Sequence, residues 1–531
     1  MKPGRKSGRA ASLALWLAGA ALAGCSVGPN YHRPDVEVGA HFGELKTGAS
    51  GGAEAPPTSD WWRSFKDPEL DHLVTEALSE NYDLRLAATR IREARYQRSI
   101  IAADLFPNID ADAGYLRARG SKNVILPLGG GVGSGDPPGD PPAPGRGSAS
   151  SSASTSSGAS SSGGQVGANP FASPLTPFGK GGLPGVTASL YQVGFDSNWE
   201  LDVFGGTRRR LEAAAADLGA AVEGWRDMTV TLLAEVARNY LELRGTQQRL
   251  DIARKNLAAE NETLALTRSR ARAGLTSQAD VTRAAAEVAL TTATIPPLEA
   301  AARRSIHSLS TLLAKEPTAL NRELNEEKPL PIAPPEIPVG LPSELLRRRP
   351  DIRRAERQMA AATARVGSAQ ADLFPKFALT GSIGLDSTST GNLFDWQSHY
   401  FLVSPTVTWR VFDAGRILSN LALQKANRQE SLLQYRSTIL TALREVEDAL
   451  VAYATEHEHR AALAEALAQN QESFELVRQQ YEHGLANFIE VLDAQRNVLT
   501  AEDQLAQSDQ SIATDLVALY KALGGGWQNR K

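Results

Sequence analysis

The chain has 531 residues but only one cysteine, Cys25, and only three methionines and eight histidines. A single thiol excludes any intrachain disulfide, even in a compartment that would permit one. It also excludes a CxxC redox or zinc motif, and no GxSxG or P-loop pattern is present. His457-Glu458-His459 spaces its histidines i, i+2, so they diverge on a helix, whereas zinc hydrolases use i, i+4. That cluster reads as a solvated helix surface. With no nucleophile–base pair at an interpretable spacing, the reading is not an enzyme. Basic excess is missing too: 56 Lys and Arg stand against 60 Asp and Glu, a formal charge of −4. No nucleic-acid partner is expected from such a balance. No run of 18 apolar residues follows Cys25, so a membrane crossing, if there is one, must use strands. Proline is absent between Arg208 and Ile295 and again after Pro405.

The N-terminus carries a basic segment with Lys2, Arg5, Lys6 and Arg9, then a short apolar stretch from Leu13 to Ala23, then Leu22-Ala23-Gly24-Cys25. This is the order of a secretory signal, and the cysteine at its end resembles a bacterial lipobox. Residues 1–24 are therefore expected to be removed and Cys25 acylated, with no other cofactor. Ser26, where Asp would signal inner-membrane retention, points to the outer membrane. A buried structural Cys behind an ordinary signal is the other reading. Loss of four basic and no acidic residues takes the formal charge from −4 to −8.

The rest is an internal duplication. Ala103-Asp104-Leu105-Phe106-Pro107 recurs as Ala371-Asp372-Leu373-Phe374-Pro375, an offset of 371 − 103 = 268. Gly274-Leu275 recurs as Gly484-Leu485, and Trp199 as Trp409, an offset of 484 − 274 = 210. The difference of 268 − 210 = 58 residues falls in 129–185, a Gly/Ser/Pro/Ala tract too poor in apolar residues to fold. From Tyr191 to Val203, apolar Tyr, Val, Phe, Trp and Leu at odd positions alternate with Gln, Gly, Asp, Asn and Glu. Phe401, Val403, Val407, Trp409 and Val411 repeat the pattern. Strands of ~9–11 residues with one apolar and one polar face suit a transmembrane barrel wall. A soluble sandwich strand alternates likewise, but two hairpins are few for a sandwich in 531 residues. Four strands cannot close alone, so copies must pool theirs. Leu243, Leu250, Leu257 and Leu264 keep a seven-residue spacing, and Leu463, Leu467, Asn470, Phe474, Val477 and Tyr481 alternate steps of four and three. Both describe a coiled-coil seam. Residues 208–273 and 416–483 would each reach ~100 Å, less if a break falls near Gly245 or in the mid-400s.

Several ordered motifs carry a family resemblance. They are Gly28-Pro29-Asn30-Tyr31 with Pro34, Trp61-Trp62 with Phe65, Asp67-Pro68 and Leu70, and Asn81 with Asp83-Leu84 and Ala87. Further on come Arg348-Arg349-Pro350-Asp351-Ile352 with Glu356, Phe412-Asp413-Ala414-Gly415, and Leu492-Asp493-Ala494-Gln495-Arg496. Over about residues 25–525 the chain resembles outer membrane factors of tripartite RND-type efflux systems, the OprM and NodT lipoprotein type. The tract at 129–185 is longer than that family leads one to expect.

The resemblance implies a mainly α, TolC-like homotrimer with a 12-stranded transmembrane β-barrel and a long α-helical periplasmic tunnel. It implies an adaptor (membrane fusion) protein and an inner-membrane transporter as partners, with outer-membrane lipid around the barrel. The expected layout is a signal at 1–24, an anchor segment and first repeat at 25–317, an equatorial linker at 318–345 and a second repeat at 346–531. Strands are expected at about 107–117, 189–204, 376–386 and 400–412, an extracellular loop at about 118–188, and long helices at about 208–316 and 416–523. The function implied is a passive exit duct with an iris-like periplasmic gate. Protein secretion, metal export or a pore-free coiled-coil scaffold are the alternatives, and the few methionines count slightly against metal relay.

Candidate residues follow. Gly274-Leu275-Thr276 and Gly484-Leu485-Ala486 sit at the two helix–helix turns and, by resemblance, meet the adaptor. The plainer reading makes each Gly a helix C-cap and each Leu a local packing residue. Asp493 and Arg496 match the family's gating positions, where charged residues link neighbouring helices. Equally, they are an exposed i, i+3 pair on one helix, worth ~0.3–0.5 kcal/mol. Ile489 offers an apolar constriction, and Asp280 adds acidity to the tip. Arg208-Arg209-Arg210 and Arg347-Arg348-Arg349 read as headgroup-level and surface charge respectively.

Overall fold

The computed structural model describes residues 26–39, 42–43, 60–119, 187–331 and 342–528. Cys25, the tract at 129–185 and residues 332–341 of the expected linker lie outside them. The chain forms two compact units.

The smaller unit, made of the described residues of 107–201 and 377–407, is built from the strands β1 (Asn108–Arg119), β2 (Thr187–Leu201), β3 (Lys376–Ser387) and β4 (His399–Thr408), of which only the end residues Lys376 and Thr408 fall in the larger unit. They form one sheet in the order β1-β2-β3-β4, with antiparallel pairing of β1 with β2 and of β2 with β3. The register sets side chains of one kind side by side. Phe195 lies between Ala111 and Ile383, Val193 between Ala113 and Leu385, and Tyr191 opposite Tyr115 with ring centroids 4.7 Å apart. On the other face Asp196 lies between Asp110 and Ser382, and Gln192 between Gly114 and Asp386. Ile109, Tyr115, Phe195, Ile383, Phe401, Val403 and Val407 are all exposed. β1 and β4 are the sheet's two edges.

β4 stops at Thr408, short of the expected 412, and β2 stops at Leu201 rather than 204. An aspartate directly follows β2, and another stands five residues past the end of β4. Asp202 accepts from the amides of Thr207 (2.9 Å) and Arg208 (2.8 Å), and Asp413 from those of Gly415 (3.0 Å) and Ile417 (2.8 Å). Both carboxylates cap the following helices, and at β2, where Asp202 adjoins the last strand residue, this capping ends the ladder before the apolar alternation ends.

The larger unit, made of the described residues of 1–106, 202–376 and 408–531, is helical. Its helices are α1 (Pro68–Glu80), α2 (Tyr82–Ala103), α3 (Gly206–Arg272), α4 (Gln278–Leu312), α5 (Asn321–Leu324), α6 (Pro342–Arg348), α7 (Pro350–Ala371), α8 (Arg416–Glu482) and α9 (Phe488–Ala522). The duplication is metrical. α2 and α7 have 22 residues each, α3 and α8 have 67, and α4 and α9 have 35. Their starts keep the two offsets, 350 − 82 = 268 and 416 − 206 = 210. Both long helices run unbroken, past Gly245 and through the mid-400s alike. Gly245 instead admits a neighbour: a Cβ there would lie 2.5 Å from the Gln510 carboxamide on α9. Leu243, Leu250 and Leu264 of the seven-residue seam are buried and Leu257 is half-buried. No helix among the described residues is long and apolar enough to cross a membrane.

Three apolar clusters hold this unit together. The largest packs Trp61, Trp62, Phe65, Leu70 and Leu73 against Leu233, Tyr240 and Leu241 of α3, Leu309 of α4 and Tyr520 of α9. Trp61 stacks on Tyr520 at 5.0 Å. The second joins Ile352 and Met359 of α7 to Tyr435, Ile439 and Val446 of α8. The third, next to the turns, joins Leu264, Val281 and Ala284 of the first repeat to Phe488 and Leu492 of the second.

The two arginine runs are not simply surface charge. Arg209 is buried and donates to the carbonyls of Val27 (3.1 Å) and Gly28 (3.2 Å) and to Asn30 Oδ1 (2.7 Å), so it binds the N-terminal segment. Arg349 is buried as well, donating to the Ala522 carbonyl (2.8 Å), both Asp351 oxygens (3.0 and 2.6 Å) and Glu445 (2.7 Å).

Candidate gate and docking site

The turn from α3 to α4 and the turn from α8 to α9 are built alike. Gly274 and Gly484 both have φ +76°, and each helix closes with the same pair of amide bonds. Leu275 N donates to Arg270 O (2.9 Å) and Gly274 N to Ala271 O (3.0 Å). Leu485 N donates to Gln480 O (2.8 Å) and Gly484 N to Tyr481 O (3.0 Å). This is the Schellman arrangement, which needs a left-handed residue where Gly alone is unstrained. The C-cap reading of both glycines therefore holds. Local packing of the leucines does not. The motif usually seats its sixth residue against the first, but here those partners are Arg270 and Gln480. Leu275 is 71 % exposed and Leu485 80 %.

The turns then diverge. In the first, Thr276 Oγ1 (2.8 Å) and Ser277 Oγ (2.7 Å) donate to Asp280, and Asp280 N donates back to Ser277 Oγ (3.2 Å), a complete capping box. Ser277 and Thr276 hold the Asp280 carboxyl below its ordinary value, so its charge serves the helix cap. In the second, Ala486 replaces the threonine, and Asn487 at the cap position makes no capping bond.

Of the gating candidates, Ile489 is partly exposed on α9 while its neighbours Phe488, Val491 and Leu492 are buried. Asp493 and Arg496 are 3.8 Å apart, the i, i+3 pair of the plainer reading. Arg496 also forks onto Glu287 of α4, Nε to Oε1 at 3.0 Å and Nη2 to Oε2 at 2.9 Å. That bond ties the second repeat to the first within one protomer and holds the guanidinium more firmly charged. Glu287 was missed in the sequence, although the 210-residue offset puts Arg496 level with Ala286, next to it. Arg249 of α3 makes a second such fork to Asp503 of α9, at 2.7 and 2.9 Å.

Glu260 on α3 is buried near this cluster. One carboxylate oxygen accepts from Thr291 Oγ1 (2.9 Å), and the other is buried without a hydrogen-bond partner among the described residues. Burial raises its pKa, and the nearby Glu287 adds to the rise. A raised carboxyl contributes stability below its unfolded value and loses it as pH rises through the folded one. Glu260→Gln is therefore expected to raise the melting temperature at neutral pH, by about 2 °C, and to flatten its fall from mildly acidic to neutral pH. Parallel melting curves for both proteins across that range would refute this.

His457 packs edge-on against Tyr453 at 4.5 Å. No group of three or more metal-ligating side chains occurs among the described residues.

Similarity to known proteins identifies the family and the fold. The family model described as Outer membrane efflux protein matches residues 144–315 and 341–525. The chain is 30% identical over 518 residues to the probable efflux pump outer membrane protein SepC of Pseudomonas putida, covering 96% of this chain and 95% of that one. To nodulation protein T of Rhizobium leguminosarum it is 30% identical over 510 residues, 95% and 92% of the two chains. Among solved structures, the outer-membrane channel OprN superposes with a TM-score of 0.79 at 33% identity, covering 95% of this chain and all of OprN. The Campylobacter jejuni CmeC channel, at 20% identity, shares the fold with a TM-score of 0.80 and 96% coverage of each chain. With its paired repeats, four-stranded sheet and matching turns, the chain belongs to the outer membrane efflux protein family.

Proposed function

We propose that three copies of this chain form an efflux exit duct in the outer membrane, closed into a 12-stranded barrel and conducting passively from an adaptor and an inner-membrane transporter to the exterior. One observation carries this reading: a four-stranded sheet, apolar on one face and polar on the other, whose edges β1 and β4 belong to one chain. Unpaired edges are not tolerated in lipid, and β1 of one copy meeting β4 of the next removes all of them. The relatives named for toluene and solvent efflux favour small-molecule cargo over protein. Detergent-purified protein should run near three times the mature mass and form discrete channels in a planar bilayer. A stable monomer with intact strand content would sink the reading.

Lipidation of Cys25 belongs to the same proposal. Cys25→Ser, behind a signal peptide that is still cleaved, should abolish metabolic labelling by palmitate. The trimer should stay in the membrane, because barrel insertion contributes far more than one anchor. Wholly soluble, monodisperse Cys25→Ser protein would refute the membrane strands.

A further inference from the structure

The two helix–helix turns share backbone geometry but not charge. Between residues 268 and 283 stand Arg268, Arg270, Arg272 and Arg283 against Asp280 alone, four positive and one negative. The equivalent window under the 210-residue offset, 478–493, holds Arg478 against Glu482, Glu490 and Asp493, one positive and three negative. Partners reduce the imbalance without reversing it: Arg283 meets Asp280 at 3.5 Å, and Asp493 meets Arg496, just outside the window, at 3.8 Å. Asp280 is committed to the capping box, and Arg478 to Glu475 at 2.7 Å. Arg268, Arg272 and Glu482 are exposed, with no side-chain partner among the described residues. Arg270 lies over the Tyr481 ring at 4.5 Å, which sets the two turns side by side.

Resting on the reading that these turns dock the adaptor, we propose that they are charge-marked. The basic turn at Gly274 receives an acidic arm of a helical hairpin, the acidic turn at Gly484 receives its basic arm, and Leu275 and Leu485 are the apolar knobs each arm covers. In a trimer the marks alternate around the ring, so one kind of hairpin seats in one orientation. Complementary charge does this kind of work, fixing register and rejecting wrong placements more than adding affinity. An anionic bilayer surface would attract the first turn and repel the second. A partner carrying both signs suits both, and the exposed leucines match a helix-packing contact.

The test uses the full-length trimer in nanodiscs, with a photo-crosslinking amino acid at Ala273 or, separately, at His483, equivalent exposed positions in the two turns. The probes are two synthetic helical hairpins of identical apolar sequence, one with acidic and one with basic arms. The acidic hairpin should label position 273 about tenfold more than 483, and the basic hairpin the reverse, as several exposed ion pairs acting together supply. Arg272→Glu with Glu482→Arg should erase or invert the preference while the trimer band persists. About 1 M salt, which shortens the screening length to about 3 Å, should abolish it in the unaltered protein. Equal labelling of both turns by both hairpins overturns the charge marking and leaves docking intact. Labelling of neither turn by either hairpin overturns the docking reading as well.

Discussion

Arg244→Met is expected to destabilise the helical unit by about 3–5 kcal/mol, the cost of breaking a buried ion pair from one side. The Arg244 side chain is fully buried beneath the first core cluster. Its guanidinium donates to Glu69 Oε2 on α1, to Gln247 Oε1 on α3 and to the Glu326 carbonyl, each at 2.7 Å. It also lies over the Tyr240 ring at 5.0 Å, and the Tyr240 hydroxyl donates to Asp67 Oδ2 at 2.7 Å. Asp67 in turn caps α1 through the amides of Glu69 and Leu70. One side chain thus ties α1, α3 and the segment after α5, and methionine fills its volume while leaving the Glu326 carbonyl and Gln247 Oε1 short of a donor. Lys328 stays on Glu69 at 2.7 Å, so the carboxylate is not left bare, which favours the lower end of the range. Arg244→Lys should recover little, because an ammonium cannot serve three directions with a planar fork. The check is the melting temperature of the detergent-solubilised trimer beside limited proteolysis between residues 60 and 80. A melting temperature within about 1 °C of the parent would show that Arg244 is replaceable packing.

How much of this could be read from the chain depends on where each residue's partner lies. The duplication was legible because it is written in positions: the ADLFP repeat and the Gly-Leu pairs already carry the offsets that α2/α7 and α3/α8 keep. The turn glycines were legible because a Schellman motif is local. Arg209, Arg244 and Arg349 were not, because their partners lie on segments remote in sequence, such as Gly28, Glu326 and Ala522. A run of three arginines looks solvated until the middle or last one is found inside. The ends of β2 and β4 were overrun for a related reason, since apolar alternation reports a face whereas the ladder's end depends on pairing and, after β2, on Asp202 claiming helix amides. Glu287 falls between these cases, because the repeat offset gave its level on α4 but not its side-chain direction.

The same fork gives the last expected result: Arg496→Ala together with Asp493→Ala should raise single-channel conductance and admit vancomycin, while the trimer's melting temperature moves little. Arg496 holds Glu287 of α4, and Asp493 is 61% exposed on the free side of α9. An iris motion would slide the second-repeat hairpin past the first, and the Arg496–Glu287 fork is a staple across that line. A partly exposed fork contributes about 1 kcal/mol. Three copies released together amount to about 3 kcal/mol, about a hundredfold in the closed-to-open ratio, which a single copy could not supply. Glu287→Gln separates the two ways such a gate is held. If the staple within the protomer dominates, Glu287→Gln alone should reproduce most of the gain, and high salt should mimic part of it in the parent protein. If Asp493 reaching a neighbouring protomer dominates, Glu287→Gln should leave conductance near the parent's while Asp493→Ala raises it. Unchanged conductance in all three variants would return the charged residues to a solvated helix face and leave the constriction to the apolar ring at Ile489.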